Sequence, residues 1–405
     1  MLLNLERARA IMDERKLDGL VAASAENVTY ASGFANWTIY TFKDLEMYVV
    51  IPRDGDLSLV AAIDAADYLA QYPTTTSRLY VYGTFHTERR PGVSLTGAEA
   101  ALVATREEAI RQPNALTALR QALADSGLSG SRIGLDERGM SPSRWQASRE
   151  ALDNVAIEEA GDLFRRIRLI KTPAEIEQLR FAVCAVEQGI LAAFERAAPG
   201  ATEWDLEVAF RTTVAATGAT PGHFETSAGT RSAGCFPASA EYRIQAGDVI
   251  RSDSGGRYQG YWADTGRTAV LGEPPVELRR YYDALRQGIE AICAQVKPGV
   301  PIDTLFETGV QTVREAGIPH YQRHHVGHAI GLEMYEPPVL VGKGGSSDIH
   351  RSGGSDLRLE ENMIINVELP YYELGLGGLQ IEDTLVVRRD GYERLNTADH
   401  ELRSY

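Results

Sequence analysis

Three of the chain's eight histidines fall in His324-His325-Val326-Gly327-His328, and on either side stand paired carboxylates, those downstream, Glu368 and Glu382, set in apolar, β-branched surroundings. His324 and His328 are four apart, a spacing that puts both imidazoles on one face of a helix. Gly327 and Gly331 favour an extended strand instead, on which residues of equal parity again share a face, with His350 from a later loop as a further candidate to join them. Upstream, residues 249–253 and 258–264 read as two strands joined by a tight Ser254-Gly255-Gly256 turn, so Asp253 and Asp264 belong to one hairpin. Downstream the design recurs: residues 363–368 form a strand, 374–378 a Gly-rich loop and 379–387 the return, carrying Glu368 and Glu382. An unpaired carboxylate in such surroundings costs several kcal/mol, roughly, and protonates instead. Four of them together need a cation. With His328 they form a set suited to two divalent ions about 3.5–4 Å apart. Imidazole among carboxylates favours Mn, Co, Fe or Zn over a thiolate-loving metal.

The elements that must position these groups come as two copies. Gln188-Gly189-Ile190, Ala192 and Pro199-Gly200 recur 99 residues later as Gln287-Gly288-Ile289, Ala291 and Pro298-Gly299. Leu206, Val214 and Gly218 match Leu305, Val313 and Gly317 at the same offset. A constant offset over this many identities marks an internal repeat. It predicts two helix-helix-hairpin halves folded face to face about a pseudo-two-fold axis, each bringing one pair of carboxylates to a shared centre. The first half opens at Thr172-Pro173-Ala174-Glu175, a capping box with proline at the first helical position, and Ile176, Leu179, Val183, Val186 and Ile190 run down one face. Thr202 to Asp205 starts the next helix in the same way.

Before this lies an α/β segment. Leu5, Ala8, Ile11 and Met12 give a helical stripe, and residues 19–24, 79–82 and 133–135 read as short strands. Residues 47–52 and 57–62, joined by Arg53-Asp54-Gly55-Asp56, predict a hairpin, and Ser141-Pro142 opens a helix. The 405 residues, 44% of them hydrophobic, suffice for two domains with cores of their own, while a net charge of -15 excludes nucleic acid and anionic membranes as electrostatic partners. Cys184, Cys235 and Cys293 are an odd number without close spacing, which suggests neither a disulfide framework nor a thiolate site. No apolar run approaches a membrane span and no secretory leader opens the chain, so the cytoplasm is the expected location.

Taken together, Asp253 and Asp264, then Thr265-Gly266-Arg267-Thr268, Gly327-His328-Ala329-Ile330-Gly331-Leu332-Glu333, Asn366-Val367-Glu368 and Ile381-Glu382-Asp383-Thr384 resemble the M24, or pita-bread, metallopeptidases. The nearest likeness is to the Xaa-Pro dipeptidase (prolidase), aminopeptidase P and creatinase group, and it covers nearly the whole chain. The resemblance implies an α/β (α+β) fold with a creatinase-type N-terminal domain over residues 1–160 and a pita-bread metal-binding domain over 161–405. It implies that Asp253, Asp264, His328, Glu368 and Glu382 bind two divalent metal ions, with Asp264 and Glu382 bridging, and that the protein is a homodimer. Trp37 is then a candidate to reach a neighbouring subunit's site.

The chain also departs from the group. Ala238 stands where a histidine is usual before the first Asp, Tyr335-Glu336 replaces a His-Glu pair, and Glu368-Leu369-Pro370 replaces Glu-Pro-Gly. The function expected is metal-dependent hydrolysis of an amide or peptide C–N bond of the Xaa-Pro kind by hydroxide generated on the metals. Glu368 is the candidate to take the water's proton and His324 to stabilise the oxyanion or relay a proton. His223 and Tyr335 are the substrate-binding candidates, and the Gly-rich stretch 342–354 is a candidate lid. The altered histidines keep open hydrolysis of a small non-peptide amide or amidine, as in creatinase or ectoine hydrolase, or a non-catalytic pita-bread binding protein; the partner is a small molecule or short peptide.

Overall fold

The computed structural model describes residues 1–35, 37–42, 44–72, 74–345 and 357–405. His350, the larger part of the 342–354 stretch and the side chain of Trp37 lie outside the described residues. The chain divides into two compact units, Met1–Arg168 and Leu169–Tyr405.

In the second unit the two halves are built alike. Helix Pro173–Glu195 begins at the expected capping box: the Thr172 amide donates to Glu175 Oε2 at 2.8 Å and the Glu175 amide donates to Thr172 Oγ1 at 3.3 Å. It packs on helix Glu203–Ala216 where Gly189 faces Val214; a Cβ on Gly189 would meet Val214 Cγ2 at 2.6 Å. Helices Val276–Gln295 and Ile302–Ala316 repeat that contact 99 residues on, where a Cβ on Gly288 would meet Val313 Cγ2 at 2.6 Å. Each helix pair carries a sheet. The first sheet orders its strands Arg403–Ser404, Tyr261–Val270, Val249–Tyr258, Thr220–Ala228. The second orders them Glu336–Val339, Gly327–Ala329, Ile364–Glu368, Glu382–Arg388, Gly391–Arg394. The sheets meet where Thr268 Oγ1 donates to the Gln380 carbonyl at 3.0 Å and the Gln380 amide donates back at 2.8 Å.

Two turns differ from expectation. The upstream hairpin does not turn at Ser254-Gly255-Gly256, which lies inside strand Val249–Tyr258. It turns at Gln259-Gly260, with φ of 50° and 88°, the pair of positive values that matches the twist of the flanking strands. Gly255 serves another purpose, since a Cβ there would collide with the His223 ring. Downstream, the Gly-rich loop is itself a small hairpin, Tyr371–Glu373 against Gly377–Leu379, and the return strand begins at Glu382.

The first unit is a seven-stranded mixed sheet in the order Ile110–Gln112, Arg78–Tyr82, Ser58–Ala62, Tyr48–Pro52, Gly19–Ala22, Arg132–Leu135, Ala156–Glu159. The expected hairpin is present as Tyr48–Pro52 antiparallel to Ser58–Ala62. Helix Pro142–Ala151 is capped by Ser141, which accepts from the Arg144 amide. The unit runs on through helix Gly161–Arg168, whose Leu163, Phe164 and Ile167 are buried. Val21, Val50, Val60, Leu119, Leu123 and Ile133 belong to one buried core.

Candidate metal centre

Strand register places the carboxylates. Asp253 lies opposite Gly266 and Asp264 opposite Gly255 in the first hairpin, while Glu368 and Glu382 are direct cross-strand partners in the second sheet. His328 sits on the adjoining short strand, opposite Asn366. A bulge between Pro221 and Phe224 turns His223 over Gly255, leaving its Nε2 3.2 Å from Asp264 Oδ1 and 3.7 Å from Asp253 Oδ1. One ligand atom from each of Asp264, His328 and Glu382 lies within 4.8 Å of the others, and the same is true of His223, Asp253 and Asp264. These two sets share Asp264. Around them is a cavity of about 360 Å³ lined also by Glu225, Trp262, Met334, Tyr335 and Glu368.

The charges are unevenly satisfied. Burial pushes Glu382 well above the carboxylate range, and Asp264, Glu368 and Asp253 reinforce it. Burial also raises Asp264 to about 6, against the pull of His223. Asp253 and Glu368 resist burial and stay below their ordinary values, because His223 faces the first and His325 faces the second, its Nδ1 3.1 Å from Glu368 Oε1. His223 itself, though burial opposes its charge, is driven up to about 10 by Asp253 and Asp264. Burial holds His328 down at about 4. Its Nδ1 lies 3.0 Å from the Ala329 carbonyl, so a proton placed there leaves the Nε2 lone pair for the cavity. Among the described residues, Asp264 Oδ1 and His223 Nδ1 are buried without a hydrogen bond. An excess of buried carboxylate and a neutral imidazole fit a divalent cation that accepts oxygen and nitrogen donors.

Residues 177–389 match metallopeptidase family M24, and residues 4–170 match the Creatinase/Prolidase N-terminal domain. The chain belongs to metallopeptidase family M24. It is 31% identical over 249 residues to a Mycobacterium tuberculosis protein named "Probable dipeptidase PepE", an alignment spanning 60% of this chain and 62% of that protein. It is 30% identical over 243 residues to the Xaa-Pro dipeptidase of Pyrococcus furiosus, spanning 60% of this chain and 67% of that one. The solved Xaa-Pro dipeptidase from Bacillus anthracis superposes with a TM-score of 0.74 over 99% of both chains at 22% identity, a likeness of fold. The architecture is accordingly a creatinase-type N-terminal domain followed in the chain by a pita-bread domain.

Within this M24 site, Asp253, Asp264, His328, Glu368, Glu382, His223 and Tyr335 are drawn together. The Tyr335 ring stacks on His328, centroids 3.6 Å apart and 17° from parallel, and burial pushes its phenol far above its ordinary pKa. His324 is the exception. It is exposed and does not line the cavity, whereas its neighbour His325 is buried and faces Glu368. Counting parity back from His328 selects His324, but Gly327 at φ 137° breaks the alternation, and a Cβ there would collide with the Asn366 carbonyl oxygen. Glu336 does not face the cavity either; it is buried and paired with Lys171 Nζ at 2.9 Å. Arg323, Arg251 and Gln380 were not anticipated. Arg323 reaches within 3.7 Å of Glu368 Oε2, and Gln380 donates 2.9 Å to Asp253 and 3.2 Å to Glu382. The available signal for Gln380 was its place two residues before Glu382, which gives the two side chains the same parity.

Proposed function

We propose that this chain is a divalent-metal-dependent peptidase that hydrolyses the C–N bond of Xaa-Pro dipeptides, and that Asp253, Asp264, His328, Glu368 and Glu382 would hold its ions. The observation that carries the reading is the convergence of Asp264, His328 and Glu382 ligand atoms within 4.8 Å, drawn from both halves of a fold that matches M24. Two ions of Mn, Co, Fe or Zn would polarise the scissile carbonyl and lower the pKa of water toward ~7. Glu368 takes the attacking water's proton, and His325, at 3.1 Å, orients the carboxylate and shares that proton. His325 thereby replaces His324 in the relay. The Tyr335 phenol stays protonated and offers a hydrogen-bond donor to the substrate carbonyl, while His223 presents its imidazole edge beside Asp264. Trp262 and Met334 give the cavity an apolar wall that suits a pyrrolidine ring.

The relatives compared above carry dipeptidase names, so the small-amide reading is not favoured. A homodimer, implied by the family likeness, and a cytoplasmic location belong to the same proposal and are tested by sedimentation and cell fractionation. The decisive experiment is metal analysis followed by a metal-replete assay on Xaa-Pro dipeptides, longer Xaa-Pro peptides and small cyclic amides. Cleavage of the dipeptides is expected, and cleavage of the cyclic amides alone would overturn the peptidase assignment.

A further inference from the structure

Arg251 and Gln380 are both fully buried, and neither is spent on the hydrophobic core. Arg251 donates through Nε to the Ser232 carbonyl at 3.0 Å, through one Nη to the Gly234 carbonyl at 3.2 Å, and through the other to Gln380 Oε1 at 3.0 Å. A guanidinium has only donors, so it fixes which end of the Gln380 amide faces it. The NH2 group must then point the other way. There it meets Asp253 Oδ2 at 2.9 Å and Glu382 Oε2 at 3.2 Å, one carboxylate from each half of the repeat. Space for this side chain comes from Gly266, the cross-strand partner of Asp253, where a Cβ would collide with Gln380. The Gln380 backbone is held on both sides by Thr268.

We infer that the Gln380 amide, oriented by Arg251, is a positioning clamp that ties Asp253 to Glu382 across the interface of the two halves and so sets the spacing of the metal centre proposed above. The chemistry supports a clamp over a mere polar filler. Both acceptors are charged, which makes the two donations charge-assisted, and the amide carries no charge of its own to compete with an incoming cation. The amide holds both carboxylates without adding a cation of its own, and the Arg251 guanidinium behind it stands farther off, 3.8 Å from Asp253 Oδ2.

The test uses the full-length protein and Co²⁺ alone as probe, with affinity read by calorimetry and coordination by the visible spectrum of the bound ion. Gln380→Met removes both donations, and Gln380→Glu removes them while keeping the side-chain size and the acceptor for Arg251. The expected result is a ~10- to 100-fold loss of Co²⁺ affinity in Gln380→Met, an altered spectrum in both variants, and an Arg251→Met/Gln380→Met double variant no weaker than Gln380→Met alone. Wild-type affinity and spectrum in both Gln380 variants, with normal uptake by the unsubstituted protein, would overturn the clamp and leave the metal centre standing. Failure of the unsubstituted protein to take up Co²⁺ would overturn both. Additive losses in the double variant would show Arg251 acting by itself and would overturn the relay.

Discussion

At Glu368 the choice between two adjacent histidines decides the proton path. His325 is buried with Nδ1 3.1 Å from the carboxylate, and His324 is exposed. His325→Ala should keep its metal while turnover on an Xaa-Pro dipeptide falls by ~10²-fold or more; His324→Ala should change turnover only a few-fold, roughly. Equal and large losses in both, measured as kcat beside metal content, would return His324 to the relay. Glu175 carries a different consequence. Its carboxyl is 1% exposed, and burial lifts it to about 7 from 4.5, with the Thr172 amide and Lys171 opposing. The folded state therefore binds this proton more tightly than the unfolded state. That group's contribution is greatest below pH 4.5 and is lost as pH rises toward 7. Glu175→Gln keeps an acceptor for the capping box and should flatten this fall. It should leave the variant more stable than the parent at pH 8 by up to ~3 kcal/mol, with a smaller difference at pH 5. Urea unfolding of both proteins at the two pH values checks it, and an equal difference at both would refute the assignment.

Among the elements, the paired helices show how the repeat is kept. Gly189 admits Val214 and Gly288 admits Val313, and in each case a Cβ would stand 2.6 Å from the valine methyl. Glycine inside a helix costs ~1 kcal/mol against alanine, so its presence at matching sites reflects close helix approach and not propensity. Gly189→Ala and Gly288→Ala should each destabilise by about 1–3 kcal/mol through overpacking. Pairing each with Val214→Ala or Val313→Ala should recover part of that loss. Denaturant midpoints measure this, and a stabilising Gly→Ala change at either site would mean that the helices yield. At the same scale, the bulge between Pro221 and Phe224 and the glycine at 255 act as one device: the bulge aims His223, and Gly255 makes room for it.

For the whole second unit, stability and metal binding are coupled. Burial and mutual repulsion raise Asp264 and Glu382, so in the metal-free protein these groups are held at an electrostatic disadvantage that a divalent cation relieves. Metal removal should lower the thermal midpoint, and added ion should restore it in proportion to the logarithm of its concentration. Asp264→Asn, which takes a carboxylate from both overlapping ligand sets, should lose most bound metal and most of that stabilisation. Elemental analysis finding undiminished metal in the variant would sink the two-ion assignment.

Residue order alone carried the fold class, the repeat and the convergence of the four carboxylates with His328. Hydrophobic patterning, capping boxes and a constant 99-residue offset are local or periodic signals that survive without coordinates. Glu368 and Glu382, embedded in apolar strands, and the Asp253–Asp264 hairpin could be read as one centre because the burial of such carboxylates is costly apart. What residue order did not reveal depends on backbone twists and on contacts between distant segments. The hairpin turn lies at Gln259-Gly260 because the glycines at 255 and 256 accommodate neighbouring segments within the sheet. His325 faces Glu368 because Gly327 leaves the alternating conformation that parity counting assumes. Gln380 finds Asp253 and Arg251 only where two sheets, separated by about 130 residues of chain, are laid side by side; amide orientation there is set by a guanidinium with nothing but donors to offer, a constraint that exists once the two side chains meet.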